Sequence, residues 1–146
     1  MKISIDVDPE KQDTEVHITC PSLTPEIERV ISLIRAMDSK LTVKKNSEVY
    51  ILDLNKVLYL EAVERKCFVY TLSEVYESDS KMVELEDLLV ASGFFRISKS
   101  CMVNLKRIKS LRTDINHRIR ITMDNEEQLV ASRMYADELR VKLGLK

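Results

Sequence analysis

Between Phe94 and Arg112 the sequence FFRISKSCMVNLKRIKSLR sets hydrogen-bond donors among apolar residues. Arg96, Ser98, Lys99, Ser100, Asn104, Lys106 and Arg107 carry N–H and O–H groups of the kind that meet phosphate oxygens and nucleobase edges. Phe94, Phe95, Ile97, Met102, Val103 and Leu105 can anchor the same stretch in a core, so the donors belong to a folded surface and not to a trailing basic tail. Ser98-Lys99-Ser100, between the FFRI run and CMVNL, reads as a polar loop pointing out of a sheet. Enzyme chemistry finds no comparable cluster. A nucleophilic site needs a serine or cysteine held by a base. The only histidines are His17, in a strand-like alternation, and His117, in a turn where it could contact phosphate or simply face solvent. Gly93 and Gly144 are the only glycines, too few for a Walker loop or a Rossmann fingerprint. Cys20, Cys67 and Cys101 lack the short paired spacing of a zinc site, so no metal or cofactor is expected, and no enzyme.

These donors need elements to hold them. The chain has 146 residues, 45% apolar and 32% charged, which suits one domain or one domain with a small appendage. It shows no apolar run of membrane-spanning length and no signal-peptide pattern, and its cysteines sit singly in apolar runs. The expectation is a cytoplasmic protein. The net charge of −1 hides a strong asymmetry. Residues 94–120 hold eight bases (Arg96, Lys99, Lys106, Arg107, Lys109, Arg112, Arg118 and Arg120) against Asp114, whereas residues 74–93 hold six acids against Lys81. A folded basic stretch is the electrostatic footprint of a phosphate-backbone binder, or else a solvated face that happens to be basic.

Period-two alternation predicts strands at 2–8 and 16–20, followed by a helix over 25–37 with Thr24 as its cap and Pro25 at its first position. Ile27, Val30, Ile31 and Ile34 form its apolar stripe. All three prolines precede residue 26 and the charge changes sign near residue 40, so a ββα appendage is expected over 1–40 and the main body over 41–146. The body reads as strands at 41–45, 48–54, 57–63, 66–72 and 75–78, a helix at 83–92 and further strands at 101–105, 108–112, 118–123 and 127–131. A last helix over 133–143 would be capped by Ser132. Short turns between closely spaced strands predict an α+β, mainly β fold built on antiparallel pairs.

Three motifs in this body point to one family. Phe95-Arg96-Ile97-Ser98-Lys99-Ser100-Cys101-Met102-Val103-Asn104-Leu105, Ser132-Arg133-Met134-Tyr135 and Leu58-Tyr59-Leu60-Glu61 resemble, in order and spacing, the LytTR-type DNA-binding domain of bacterial transcription regulators. The resemblance covers about 41–146. It implies an elongated antiparallel domain whose strand-connecting loops, and not a recognition helix, enter successive major grooves of promoter DNA. Ser98 falls where many members hold a base-reading histidine, so Lys99 beside it is the candidate to reach a base edge. Arg133 matches the region of a second groove contact. Lys106, Arg107 and Lys109 are candidate phosphate contacts. Arg96 is divided between phosphate and an internal ion pair, and Asn104 between DNA and a neighbouring loop.

Many family members carry a phosphorylated receiver domain ahead of the DNA-binding part. A forty-residue ββα unit is too short to be one, so a stand-alone regulator is expected. The appendage would either pack on its own domain and complete its core, or serve association by joining two copies as a homodimer or docking a partner, and a membrane protein could supply the signal. The competing reading is a β-rich adaptor whose basic face meets an acidic protein.

Overall fold

The computed structural model describes residues 1–37 and 39–145. Proline fixes φ for a first helical turn, and the Ile27 N–H donates to Thr24 Oγ1 at 3.3 Å. Helix α1 accordingly spans Pro25–Met37. Strands β1 (Lys40–Lys45) and β2 (Glu48–Asp53) are joined through Asn46 and Ser47, both at positive φ, the turn conformation that matches the twist of an antiparallel pair. Strands β3 (Val57–Val63), β4 (Lys66–Thr71) and β5 (Val75–Ser78) follow, then helix α2 (Met82–Ala91). Gly93, at φ +90°, ends that helix and turns its carbonyl to accept from the Leu105 N–H at 3.1 Å. Next come β6 (Phe94–Ser98), β7 (Cys101–Asn104), β8 (Ile108–Thr113), β9 (Ile119–Met123), β10 (Gln128–Ala131) and helix α3 (Arg133–Lys142).

The fold is α+β and mainly β, as the strand rhythm predicts. Its ladders are antiparallel and form two sheets, one in the order β2-β1-β5-β4-β3-β7-β6 and one in the order β10-β9-β8. Two cores lie on them. One packs Leu89 of α2 with Leu60, Val69, Phe94 and Met102. The other packs Leu139 of α3 and Ile119, Ile121 and Met123 of β9 with Leu58, Ile97 and Val103. Met102 thus enters one core while Cys101 and Val103 enter the other, which accounts for an unbroken apolar run where a half-exposed strand would alternate.

Asn104 closes this run. It is 1% exposed, its Nδ2 donates to the Val57 carbonyl at 2.9 Å, and its Oδ1 accepts from the Lys106 N–H at 3.1 Å. Its amide thus holds the neighbouring loop ahead of β3, one of the two roles the sequence offers for it.

Two expectations change. Among the described residues no strand precedes β1, so the strands predicted at 2–8 and 16–20 are not formed and only the helix of the ββα unit is present. The alternation is real, but no second strand or core surface lies against it, and an isolated strand has nothing to satisfy its backbone. Ser132 does stand at the N-cap of α3, but its hydroxyl makes no cap bond. Its carbonyl accepts from the Tyr135 and Ala136 N–H groups, and its own N–H donates to Ile97 of β6 at 2.9 Å.

Cysteine usage follows burial. Cys67 and Cys101 are buried, which pushes their thiols up to about 11 and about 12, while Cys20 is half-buried and free. A thiol reagent at about pH 8 is expected to modify one cysteine per chain quickly, Cys20, and the other two only on unfolding. Three fast thiols would show that the cores open readily. Asn104→Ala is expected to cost about 1–3 kcal/mol through its stranded backbone partners, lowering the thermal midpoint by several degrees. A midpoint equal to that of the unsubstituted chain would remove Asn104 from the structural role.

Candidate nucleic-acid interface

The β6–β7 turn is the first part of the site. Ser98 Oγ accepts from the Ser100 N–H at 3.2 Å, and the Ser100 carbonyl accepts from the Ala62 N–H of β3 at 2.7 Å. Arg96 braces the turn from beneath. Its Nε donates to Glu86 Oε1 at 3.2 Å and its Nη1 to the Lys99 carbonyl at 2.6 Å, with 18% of the side chain exposed. Arg96 is therefore an internal ion pair of the kind the sequence left open, and its second donor fixes the backbone of Lys99. The Lys99 side chain remains exposed, and among the described residues no carboxylate pairs with it.

Two further segments reach the same place. The Ser132 N–H bond to Ile97 seats the first turn of α3 beside the β6–β7 turn. From there Arg133 Nε donates to the Asn116 carbonyl at 3.2 Å, which ties in the β8–β9 turn. That turn is closed by the Asp114 N–H on the Arg118 carbonyl at 2.8 Å and carries His117 at positive φ. An open hollow of about 490 Å³ is bounded by Ser98, Lys99, Ser100, Arg118, Arg133 and Met134. Its charged groups are three cations with no acid among its walls, and the first turn of α3 adds the positive end of a helix. Such a surface suits an anion with spaced phosphates.

The other candidate residues lie elsewhere. β7 runs away from the turn, so Lys106, Arg107 and Lys109 emerge beyond its far end, on the order of 10 Å or more along the sheet. Arg107 donates to the Asn55 carbonyl at 2.8 Å and lies 3.8 Å from Asp124, while Lys109 is ion-paired with Glu126. Arg120 faces Asp114 at 3.3 Å. The basic stretch 94–120 is thus divided between the two ends of the sheet and is not one face. Two exposed bases absent from the candidate set stand at the cationic end: Arg118, and Arg65 in the β3–β4 turn, which neighbours the β6–β7 turn through the Ala62–Ser100 bond and the Glu61–Cys101 pairing. Arg65 occupies a predicted turn, whereas Arg118 opens the strand predicted at 118–123 and stands just ahead of the observed β9. The strand order that brings the turns together is not written in local spacing.

Comparisons with known proteins identify the family of the domain that carries these residues. Residues 47–144 match the LytTr DNA-binding domain family. The solved LytTr DNA-binding domain of a Bacillus cereus response regulator is similar with a TM-score of 0.69 and 30% identity, over 74% of this chain and 99% of that one. HTH-type transcriptional regulators of Staphylococcus aureus strains MSSA476 and NCTC 8325 are each 22% identical over 147 residues, 99% of both chains. In this chain, among the described residues, strands separate every pair of helices. Among the described residues no helix is long and apolar enough to cross a membrane.

The bracing role of Arg96 is open to direct measurement. Arg96→Ala removes a charge-assisted bond to the turn backbone, and amide exchange at Lys99 and Ser100 is expected to accelerate roughly tenfold with the circular dichroism spectrum retained. Unchanged exchange at those amides would show that the turn holds itself.

Proposed function

The chain belongs to the LytTR DNA-binding domain family, and from that premise we propose that it is a sequence-specific transcription regulator that reads promoter DNA through the turns at one end of its large sheet. One observation carries this reading. Lys99, Arg118 and Arg133 come from three separate segments, converge on one open hollow and meet no carboxylate there. Cations that only solubilise a surface have no need of such convergence, whereas a duplex with its regularly spaced phosphates rewards it.

The division of labour follows from reach. Ser98 is short, and its hydroxyl is already engaged with the Ser100 N–H. Lys99 next to it is long, exposed and braced at its backbone by Arg96, so it takes the base-reading role, with a guanine O6 or N7 as its natural acceptor. Arg133 has a planar fork that can make the same contact bidentately. Arg118 and Arg65 meet phosphates and set register. Lys106, Arg107 and Lys109, at the far end and two of them already beside acids, receive no groove contact in this reading. The protein acts by binding, in the bacterial cytoplasm where the DNA is, and catalyses nothing.

Fluorescence anisotropy with the chain's own upstream DNA and a scrambled duplex, taken across a salt series, tests the reading. Lys99→Ala and Arg133→Ala are each expected to remove about 1–3 kcal/mol of the preference for the upstream sequence. Arg118→Ala should weaken both duplexes alike and lower the salt slope by about one. Lys109→Ala should leave both affinities near their starting values. No binding to either duplex at low salt would sink the DNA reading and favour an acidic protein partner.

A further inference from the structure

Two stretches ahead of α1 expose apolar side chains at every second residue. Ile3, Ile5 and Val7 are 80%, 84% and 82% exposed, and Val16 and Ile18 repeat the pattern in a second segment. Single exposed hydrophobics are ordinary, but a whole alternating apolar row left in water is not. Among the described residues the backbone of this segment makes only local turn bonds, such as the Lys11 N–H to the Asp8 carbonyl at 3.2 Å. Fewer than about 40 residues rarely hold a core without help from another chain. α1 touches α2, and its stripe of Ile27, Val30, Ile31 and Ile34 is only half-covered.

We propose that residues 2–8 of two copies pair as antiparallel strands across a two-fold axis at Ile5, making the chain a homodimer joined by its N-terminal segments. Charge and pattern select that register. With Ile5 opposite itself, Ile3 meets Val7, Ser4 meets Asp6 and Lys2 meets Asp8, so each apolar residue faces an apolar one and two opposite-charge pairs form by symmetry. An axis at Asp6 would set Asp6 against Asp6. An axis at Ser4 would pair Lys2 with Asp6 instead, but it would shift the ladder onto the terminal Met1 opposite Val7 and leave Asp8 outside it. An axis between two residues would put the apolar sides of the two strands on opposite faces. Val16 and Ile18 add a second strand from each copy, giving the pair a four-stranded sheet, with the α1 helices available to cover it.

Sedimentation of the full chain without DNA should give a dimer at micromolar concentration. Lys2→Asp is expected to weaken it about tenfold, since both cross-strand pairs become repulsive, and Lys2→Asp with Asp8→Lys to restore it. In a Cys20→Ser background, Ile5→Cys should crosslink to a covalent dimer under mild oxidation, because residue 5 opposes itself at disulfide distance, whereas Ser4→Cys should not. A monomer at tens of micromolar would overturn the proposal, as would equal crosslinking by both variants. A dimer insensitive to Lys2→Asp but dissociated by Ile51→Lys would also overturn it, moving the contact to the free edge of β2. Because oligomeric state is read without DNA, these outcomes stand apart from those of the anisotropy test.

Discussion

Three strands serve two cores at once, and the geometry of the cationic end depends on that sharing. β3, β6 and β7 are covered on one face by the core under α2 and on the other by the core under α3 and the smaller sheet. A strand packed on both faces cannot slip by one residue without sending every side chain into the wrong core. The turn between β6 and β7 therefore leaves the sheet at a fixed point. The second core places α3 and the β8–β9 hairpin against the same strands, which is why Arg133 and Arg118 arrive beside that turn. The site is made of loops, but its precision comes from apolar packing beneath them.

Electrostatics then sorts the bases. Near the sheet surface a guanidinium is partly desolvated and needs partners, and Arg96 finds them in Glu86 and the Lys99 carbonyl. Its charge is neutralised locally, so its contribution to any ligand passes through the position of Lys99. Arg120 faces Asp114 in the same way, with its buried Nε left unpartnered. The cations without a carboxylate partner at this end, Lys99, Arg118 and Arg133, stand on two turns and at the first residue of α3. Burial, more than sequence charge, decides which bases of the 94–120 stretch present their charge outward.

Much of the fold is legible in the sequence because its signals are local. The Thr24-Pro25 start delimits α1, Gly93 ends α2, and turn residues at positive φ such as Asn46 and Ser47 separate strands. The family motifs bring Lys99 and Arg133 into the candidate set, and both stand on the cationic hollow. Asn104 could be suspected of holding a loop because it interrupts an apolar run. What could not be read is the pairing order of strands far apart in sequence. In an antiparallel sheet consecutive turns emerge at opposite ends, so charges close together in the chain, Lys99 and Lys109, part company, while Lys99, Arg118 and Arg133 converge. The N-terminal alternation failed differently. Period two records that a segment is suited to a ladder, and says nothing about which chain provides the other strand.

That last distinction bears on how binding could become specific. In the proposed reading Lys99 and Arg133 stand side by side on one hollow, and two base contacts would confer limited discrimination against the many competing sites of a genome. Ser98, short and with its hydroxyl spent inside the turn, would add little to that reading. A second copy doubles the contacts and turns the second engagement into an intramolecular one, which raises selectivity steeply without any new contact chemistry. The length of the connecting segment and the rigidity of α1 would then fix the spacing between half-sites, so specificity in such a regulator is set as much by the geometry joining two modest readers as by the side chains each inserts.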